Sequence, residues 1–339
     1  MDLKKHLVSV VVPAYNQPLY LRAALQSVVD QDYRPIEVIV SDDCSPITLK
    51  SVADEFLRFQ DDSFKVRYFR SATNRGVIDN FRYAVGQAVG AYLVPLPHDN
   101  CFVDQRFFTE AVQIISGGRN CHLCYGNALY EKSDRKALNI PDAISFSGGW
   151  AVLEGRDFIR LYRRGGMDWS QAMMLDNVMA HSLGAYDEPY VVNGAIAKRL
   201  GVSQDDMFSY VFLLSAMGSV GLCEKPVCEI GTPPESYSRS AAWINTKARV
   251  KFFIFYNIWR SDIQGPYAAD VRQMALRQAL QYADRILDRR MGAYYGWHPL
   301  FFLMCGFGLV KSAWSTVRYA FKRGVNLIRP NTFKKTRRL

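Results

Sequence analysis

Residues 7–16 read LVSVVVPAYN, and this stretch decides the fold class. Its first six residues form an almost continuous apolar, β-branched run, which is typical of a strand buried on both faces of a sheet. Apolar residues then recur at helical spacing at Leu21, Leu25 and Val28, and a second apolar run begins at Ile36. A buried strand, a helix and another buried strand in this order predict a parallel sheet covered by helices.

The same alternation continues to about residue 115. Further strands are predicted over 36–40, 66–69 and 91–96, and further helices over 52–59 and 77–89. The alternation then loosens, with one more strand predicted over 123–130, and after Tyr237 the apolar spacing becomes helical. The sequence therefore predicts an α/β fold with a mostly parallel central sheet and a C-terminal helical extension.

Polar residues follow each of the four N-terminal strands. The four segments are Pro13–Asn16, Ser41–Pro46, Thr73–Gly76 and Pro97–Asn100. Ligands of such sheets collect at the carboxyl ends of the strands, which lie at one edge. Helix caps alone would explain one or two polar segments but not four in succession. We therefore expect a shared ligand site at this edge.

Several short motifs occur in a fixed order along the first two thirds of the chain. They are VSVVVPAYN at 8–16, SDDCS at 41–45, NRG at 74–76, AVGAY at 88–92, GAYDE at 184–188 and QDD at 204–206. Each motif is weak alone, but the ordered set resembles the inverting family-2 glycosyltransferases. That family has a GT-A fold and uses nucleotide-diphosphate sugars. The resemblance implies a GT-A domain over 1–235, with a donor half at about 1–115 and an acceptor half at about 116–235.

The resemblance also implies roles for individual residues. Asp42 and Asp43 would accept hydrogen bonds from the base and the ribose of the donor, and Arg75 would approach its diphosphate. The donor-binding set is Pro13, Ala14, Tyr15, Asn16, Asp42, Asp43, Asn74, Arg75, Gly76 and His98, and the acceptor-side set is Tyr186, Asp187 and Glu188. The alternative for Asp42 and Asp43 is a turn capped by an aspartate side chain.

A metal motif is present in altered form. The family carries D-x-D after the fourth strand, and the matching residues here are Pro97, His98 and Asp99. Proline cannot replace the first acid, but Asp99 remains as the expected metal ligand. Mg²⁺ or Mn²⁺ often takes only one or two carboxylates together with phosphate oxygens and water. The alternative is that Asp99 caps the next helix.

Inverting transfer needs one general base, which takes the proton of the acceptor hydroxyl as that hydroxyl attacks. The family uses the aspartate of an E-D motif. Asp206 matches it if Asp205 stands in for the glutamate, and a shift of one residue would make Asp205 the base. Adjacent acids at the start of a helix are also common partners of the helix dipole, which is the alternative.

The net charge of +10 is concentrated at the C-terminus. After Arg290 there is no acidic residue among nine basic ones, whereas residues 1–290 carry 33 basic and 32 acidic side chains. Such a distribution is unlike that of a general nucleic-acid binder, so no nucleic acid is expected as a partner. Residues 236–298 are expected to form the helical extension and residues 299–339 a separate basic tail.

The tail begins with the apolar stretch PLFFLMCGFGLV at 299–310, which is shorter than the roughly 20 residues that span a bilayer. Apolar residues then recur at helical spacing beside basic ones, as in a helix that lies on an anionic membrane surface. The alternative is a helix packed on the catalytic domain. Many bacterial members of the resembled family act on lipid-linked acceptors, so the expected location is cytoplasmic and peripheral on the inner membrane face.

The seven cysteines are odd in number and scattered, which favours reduced thiols in a cytoplasmic protein over a disulfide framework. Cys121 and Cys124 lack a second pair at the spacing of a zinc site, so buried thiols are expected there.

The sequence thus predicts a metal-assisted transferase that moves a sugar from a nucleotide-diphosphate donor to a hydroxyl of a glycan or lipid-linked acceptor. The alternative is a catalytically inactive GT-A-like scaffold, because Pro97 replaces an acid.

Overall fold

The computed structural model describes residues 4–131, 140, 142, 144–163, 172–204, 209–231, 233 and 241–283. Within these residues the strands are β1 (Lys4–Ala14), β2 (Ile36–Asp42), β3 (Phe64–Arg70), β4 (Gly90–Pro95), β5 (Asn100–Phe102), β6 (Cys121–Tyr130), β7 (Trp150–Glu154), β8 (Met173–Asp176) and β9 (Ser219–Ile230). They form one sheet in the order β3-β2-β1-β4-β8-β6-β9-β5, with β7 paired to β9.

The helices lie between these strands and after them. They are α1 (Pro18–Val29), α2 (Lys50–Asp54), α3 (Val77–Gln87), α4 (Phe107–Ser116), α5 (Gly155–Arg163), α6 (Asn177–Ser182), α7 (Gly194–Leu200), α8 (Ser209–Met217), α9 (Ala241–Arg260) and α10 (Ala268–Tyr282). The segment predicted as one helix over 52–59 contains the end of α2 and a separate 3₁₀ turn at Leu57–Phe59.

The N-terminal half of the sheet is parallel, as the sequence predicts. Val10 of β1 is in register with Val38 of β2 and with Val94 of β4, and β2 pairs with β3 in the same sense. The second half is mixed, because β8 runs antiparallel to both β4 and β6, while β6 and β9 are parallel. The parallel half therefore brings the ends of four strands to one edge.

Both faces of the sheet are covered by hydrophobic residues. Successive side chains of a strand point to opposite faces, so Val10 and Val12 belong to one buried cluster and Val11 to the other. Helices α1, α2 and α4 contribute to the first cluster, and α3 and α5 to α10 contribute to the second. This two-sided burial is why residues 7–12 are almost uniformly apolar.

The helical extension shares the larger of these clusters. Val250 and Phe253 of α9 and Val271 of α10 are buried in the cluster that also holds Leu175 of β8. In the part of the chain that the structure describes, no helix combines the length and the apolar composition needed to cross a bilayer. The tail at 299–339 lies outside the described residues.

Candidate active site

The predicted site edge exists where β1, β2, β3 and β4 end. Ala14 of β1 is in register with Asp42 of β2, and Asp42 with Arg70 of β3. His98, just beyond β4, places its Nδ1 atom 3.2 Å from the carbonyl oxygen of Pro13. The parallel order of the strands thus gathers residues that are far apart in the sequence.

Asp42 is completely buried and fully engaged by its surroundings. Its Oδ1 accepts a hydrogen bond from the Ser45 backbone at 2.8 Å, and its Oδ2 accepts from the Leu49 backbone at 3.2 Å and from the Tyr68 hydroxyl at 2.6 Å. Burial by itself would raise the pKa of Asp42, but these hydrogen bonds outweigh burial and lower that pKa. Asp42 therefore shapes the loop after β2, and its predicted contact with a donor stays a prediction.

Asp43 faces a different loop. Its two carboxylate oxygens accept hydrogen bonds from the backbone of Arg75 at 2.7 Å and of Gly76 at 2.9 Å. Burial raises the pKa of this carboxyl group, and the hydrogen bonds oppose that effect only in part. Asp43 thereby ties the end of β2 to the loop that precedes α3. Asn74 also caps this loop, since its Oδ1 accepts from the Gly76 backbone at 3.0 Å.

Arg75 offers the site an unused donor. Its guanidinium carbon lies 4.0 Å from the ring centroid of Tyr83, an arrangement that holds the side chain in place. Its Nη1 atom is buried and has no hydrogen-bond partner. A buried cationic donor without an acceptor is costly unless a ligand supplies one. An anionic group, such as a phosphate, would do so.

His98 and Asp99 form the remnant of the predicted metal motif. Burial lowers the pKa of His98 and raises that of Asp99, although each group opposes the shift of the other. The Nε2 atom of His98 is buried without a partner. Among the described residues no group of three or more metal-binding side chains comes together. The pair therefore fits a divalent cation only if phosphate oxygens of a bound ligand complete its coordination.

The loop after β1 contributes an exposed ring. Asn16 and Gln17 have positive φ angles of 54° and 82°, so the chain turns sharply before α1. The Asn16 backbone donates to the Ser45 hydroxyl at 2.9 Å, which joins this loop to the one after β2. Ala14 is buried, whereas Tyr15 is 44% exposed beside these loops. Tyr15 is thus available to contact a ligand.

The three residues predicted on the acceptor side differ in their burial. Tyr186 is only 4% exposed, and its hydroxyl donates to the Asn177 side chain at 3.1 Å. Asp187 pairs with Arg82 of α3, and Glu188 accepts a hydrogen bond from Asn193 at 2.7 Å. Tyr186 is therefore part of the core, while Asp187 and Glu188 remain at the surface.

Asp205 and Asp206, the predicted base and its neighbour, lie outside the described residues. Gln204, which precedes them, was not predicted as a site residue, yet its Nε2 donates to the carbonyl oxygen of Arg75 at 2.8 Å. The one sequence signal for Gln204 is that it is adjacent to the two acids.

Comparison with known sequences supports the resemblance given by the motifs. Residues 9–161 match the family model described as "Glycosyl transferase family 2". Over 126 residues the chain is 31% identical to the "GalNAc(5)-diNAcBac-PP-undecaprenol beta-1,3-glucosyltransferase" of Campylobacter jejuni, a match that covers 37% of this chain and 39% of that protein. The chain spans less than half the length of the curated relatives that it matches.

Solved structures show the same fold over most of the chain. S. aureus TarS in complex with UDP-GlcNAc superposes with a TM-score of 0.63 at 14% identity, covering 94% of this chain and 92% of that one. The mannosyltransferase PcManGT from Pyrobaculum calidifontis, in complex with GDP-Man and Mn²⁺, gives a TM-score of 0.50 at 17% identity, with 91% and 87% covered. The chain therefore has the GT-A fold, and its residues 9–161 match the glycosyl transferase family 2 model.

Proposed function

We propose that the chain is a glycosyltransferase that moves a sugar from a nucleotide-diphosphate donor to a hydroxyl of a glycan or lipid-linked acceptor. The observation that carries this proposal is the strand-end edge itself. There the loop held by Asp43 presents a buried Arg75 nitrogen without an acceptor, and His98, at the same strand-end edge, has an unpartnered Nε2. A diphosphate would satisfy the first of these groups, and the match of residues 9–161 to the glycosyl transferase family 2 model supports a sugar nucleotide as its source.

The chemistry proposed for this site is an in-line displacement with inversion. Asp43 and Tyr15 would bind the nucleoside, and Arg75 would stabilise the charge on the diphosphate as it leaves. A divalent cation held by Asp99 and the phosphates, Mg²⁺ or Mn²⁺, would neutralise part of that charge. Asp206 would accept the proton of the attacking hydroxyl, with Asp205 as the alternative base.

The relatives indicate which substrates to try first. TarS was solved with UDP-GlcNAc and PcManGT with GDP-Man and Mn²⁺, so both a uridine and a guanosine donor are known on this fold. The name of the C. jejuni relative states an undecaprenol-linked acceptor. We therefore infer a lipid-linked or polysaccharide acceptor for this chain as well.

The donor can be identified by calorimetric titration of the full chain with UDP, dTDP, GDP and CMP, each with and without Mn²⁺. We expect one diphosphate to bind, and to bind more tightly with the metal, because Asp99 provides one ligand and the phosphates provide others. CMP has a single phosphate and is therefore expected to bind more weakly than that diphosphate. Absence of binding by every nucleotide would favour an inactive scaffold, in line with the proline at position 97.

The tail can be tested apart from catalysis. We expect deletion of residues 299–339 to release the protein from anionic vesicles, because the deletion removes nine basic side chains and the apolar stretch beside them. The measurement is co-sedimentation of the full chain and the truncated chain with vesicles that contain phosphatidylglycerol. Vesicles of phosphatidylcholine alone serve as the control. Equal sedimentation of the two chains would show that the tail is not the membrane anchor.

A further inference from the structure

The guanidinium group of Arg75 rests on the ring of Tyr83, a residue of α3 that was not predicted as part of the site. The guanidinium carbon lies 4.0 Å from the ring centroid, within the distance of about 6 Å at which an aromatic face attracts a cation. A guanidinium group can stack on a ring while its N–H groups, which lie in its own plane, point to other acceptors. The ring contact therefore leaves the unpartnered Nη1 atom of Arg75 able to bind an anion.

The ring of Tyr83 is itself held by the sheet. Its centroid lies 5.8 Å from that of Phe69, and the two ring planes meet at 82°. Such an edge-to-face arrangement is favourable for aromatic pairs. Phe69 belongs to β3 and is in register with Ser41 of β2, close to the ends of both strands. The sheet and α3 together therefore determine where the ring beneath Arg75 lies.

The backbone of Arg75 is fixed at both of its polar groups. Its N–H donates to Asp43 at 2.7 Å, and its carbonyl oxygen accepts from the Nε2 atom of Gln204 at 2.8 Å. The Oε1 atom of Gln204 also accepts a hydrogen bond from the backbone of Ile78, in the first turn of α3, at 3.0 Å. Gln204 thus joins the loop that carries Arg75 to the helix that carries Tyr83.

We propose that Tyr83 is a positioning residue that holds Arg75 ready for the diphosphate of the donor. The backbone contacts fix where the Arg75 side chain begins, but they do not fix its long, flexible stem. An arginine side chain that becomes ordered only when a ligand binds loses rotamer entropy at that step, which weakens binding. The ring of Tyr83 removes this cost because it orders the guanidinium group beforehand. Tyr83 has this task only if Arg75 binds a diphosphate, so the inference rests on the proposed function.

The size of the expected effect follows from the strength of a contact between a cation and a ring. Such a contact changes an equilibrium constant about 3- to 30-fold, more where water is excluded. Tyr83→Leu removes the aromatic face, so we expect it to weaken binding of the nucleoside diphosphate about tenfold. Tyr83→Phe keeps the ring and should bind the diphosphate within about twofold of the wild type. The matching nucleoside has no phosphate, so its affinity should change less than about twofold in both variants.

The experiment measures the Kd of the full chain for the diphosphate found by titration and for its nucleoside, by calorimetry and by ligand-observed NMR, at one metal concentration. Phe59→Leu is the matched control. It also removes a ring from beneath an arginine, because the guanidinium carbon of Arg58 lies 4.8 Å from the centroid of Phe59. Phe59 lies in the 3₁₀ turn before β3, whereas the site lies where β3 ends. We expect Phe59→Leu to leave both Kd values unchanged.

Arg75→Gln shows whether Tyr83 acts through Arg75. In a chain that already carries Arg75→Gln, the further change Tyr83→Leu should weaken diphosphate binding less than about twofold, because the group that the ring positions is gone. A residue that only supported the fold would instead weaken binding of the nucleoside as well as the diphosphate. It would also do so whether or not Arg75 is present.

Diphosphate binding as tight as that of the wild type in Tyr83→Leu would overturn the positioning role. An equal loss for the nucleoside, or a further tenfold loss in the Arg75→Gln chain, would overturn it too. In each case, diphosphate binding by the wild type would leave the proposed function in place. Failure of the wild type to bind any nucleoside diphosphate would overturn the proposed function and this role together. If Tyr83→Leu unfolds, as judged by its thermal midpoint, Tyr83→Met replaces it with the same expected results, because methionine is a good helix former without a ring.

Discussion

Replacement of Asp206 by asparagine should slow transfer severely and leave the nucleotide bound. Removal of a general base costs about 10² to 10⁴ in rate, and we expect a loss near the middle of that range, about 10³. Asparagine has nearly the size of aspartate but cannot take the proton of an acceptor hydroxyl. The proposed donor-binding residues lie at the strand ends, so the nucleotide Kd should change by no more than about threefold. The measurements are single-turnover transfer and calorimetry on the same preparation.

Asp205→Asn is the control, because it removes the same charge one residue earlier. We expect a loss of less than about tenfold for this variant if Asp206 is the base. The opposite ranking would move the role to Asp205. Full turnover in both variants would contradict an aspartate base in this segment.

The sequence predicts the parallel half of the sheet well because two requirements coincide there. A strand covered on both faces must be apolar at almost every position, as 7–12 and 36–40 are. A crossover between parallel strands usually contains a helix, which gives helical spacing between the runs. Four strand positions follow, and the parallel order alone then gathers the polar residues at one edge.

The second half of the sheet shows neither long apolar strand runs nor regular helical crossovers as clearly. Strand β8 is only four residues long, from Met173 to Asp176, yet it lies between β4 and β6. An apolar run of this length cannot be told from a segment of a buried helix by its pattern. Its antiparallel partners, β4 and β6, are also distant in the sequence, so no local sequence pattern predicts these pairings.

The division of work between Asp42 and Asp43 is a second feature that the sequence leaves open. Asp42 is the last residue of β2 and Asp43 follows it directly, but Asp42 binds the loop that leads to α2 and Asp43 binds the loop that leads to α3. Adjacent residues of a strand point to opposite sides, and the left-handed φ of 61° at Cys44 then redirects the chain. The contacts of Gln204 could not be predicted from the sequence either, because they join segments more than 120 residues apart.

Replacement of Asp42 by asparagine should destabilise the fold more than any change at the surface of this domain. The carboxylate is completely buried and accepts hydrogen bonds from two backbone N–H groups and from Tyr68. Burial and, to a smaller extent, the hydrogen bond to Asp42 raise the pKa of Tyr68 to about 12. The Tyr68 hydroxyl therefore stays protonated and donates. An asparagine amide would keep one oxygen as an acceptor, but its NH2 group would face the donors on the other side. We expect a loss of about 2–4 kcal/mol in the free energy of unfolding at pH 7, measured with urea.

The pH dependence of this loss separates the charge from the shape of the side chain. The folded state lowers the pKa of Asp42 below its value of about 3.9 in the unfolded chain. A lowered pKa stabilises the fold above the unfolded value, and that contribution is lost as the pH falls through the folded pKa. The difference between wild type and Asp42→Asn should therefore be constant from pH 6 to 8 and should narrow below about pH 4.

Asp54→Asn is the matched control for this prediction. Asp54 is also an aspartate close to α2's C-terminal end, but it forms an exposed ion pair with Lys50 at 2.6 Å. Exposed pairs of this kind contribute little, so the variant should lose less than about 0.5 kcal/mol. Similar losses for the two variants would contradict a structural role for the buried carboxylate. Asp42 would then be free to contact the nucleotide, and its variant should weaken nucleotide binding rather than the fold.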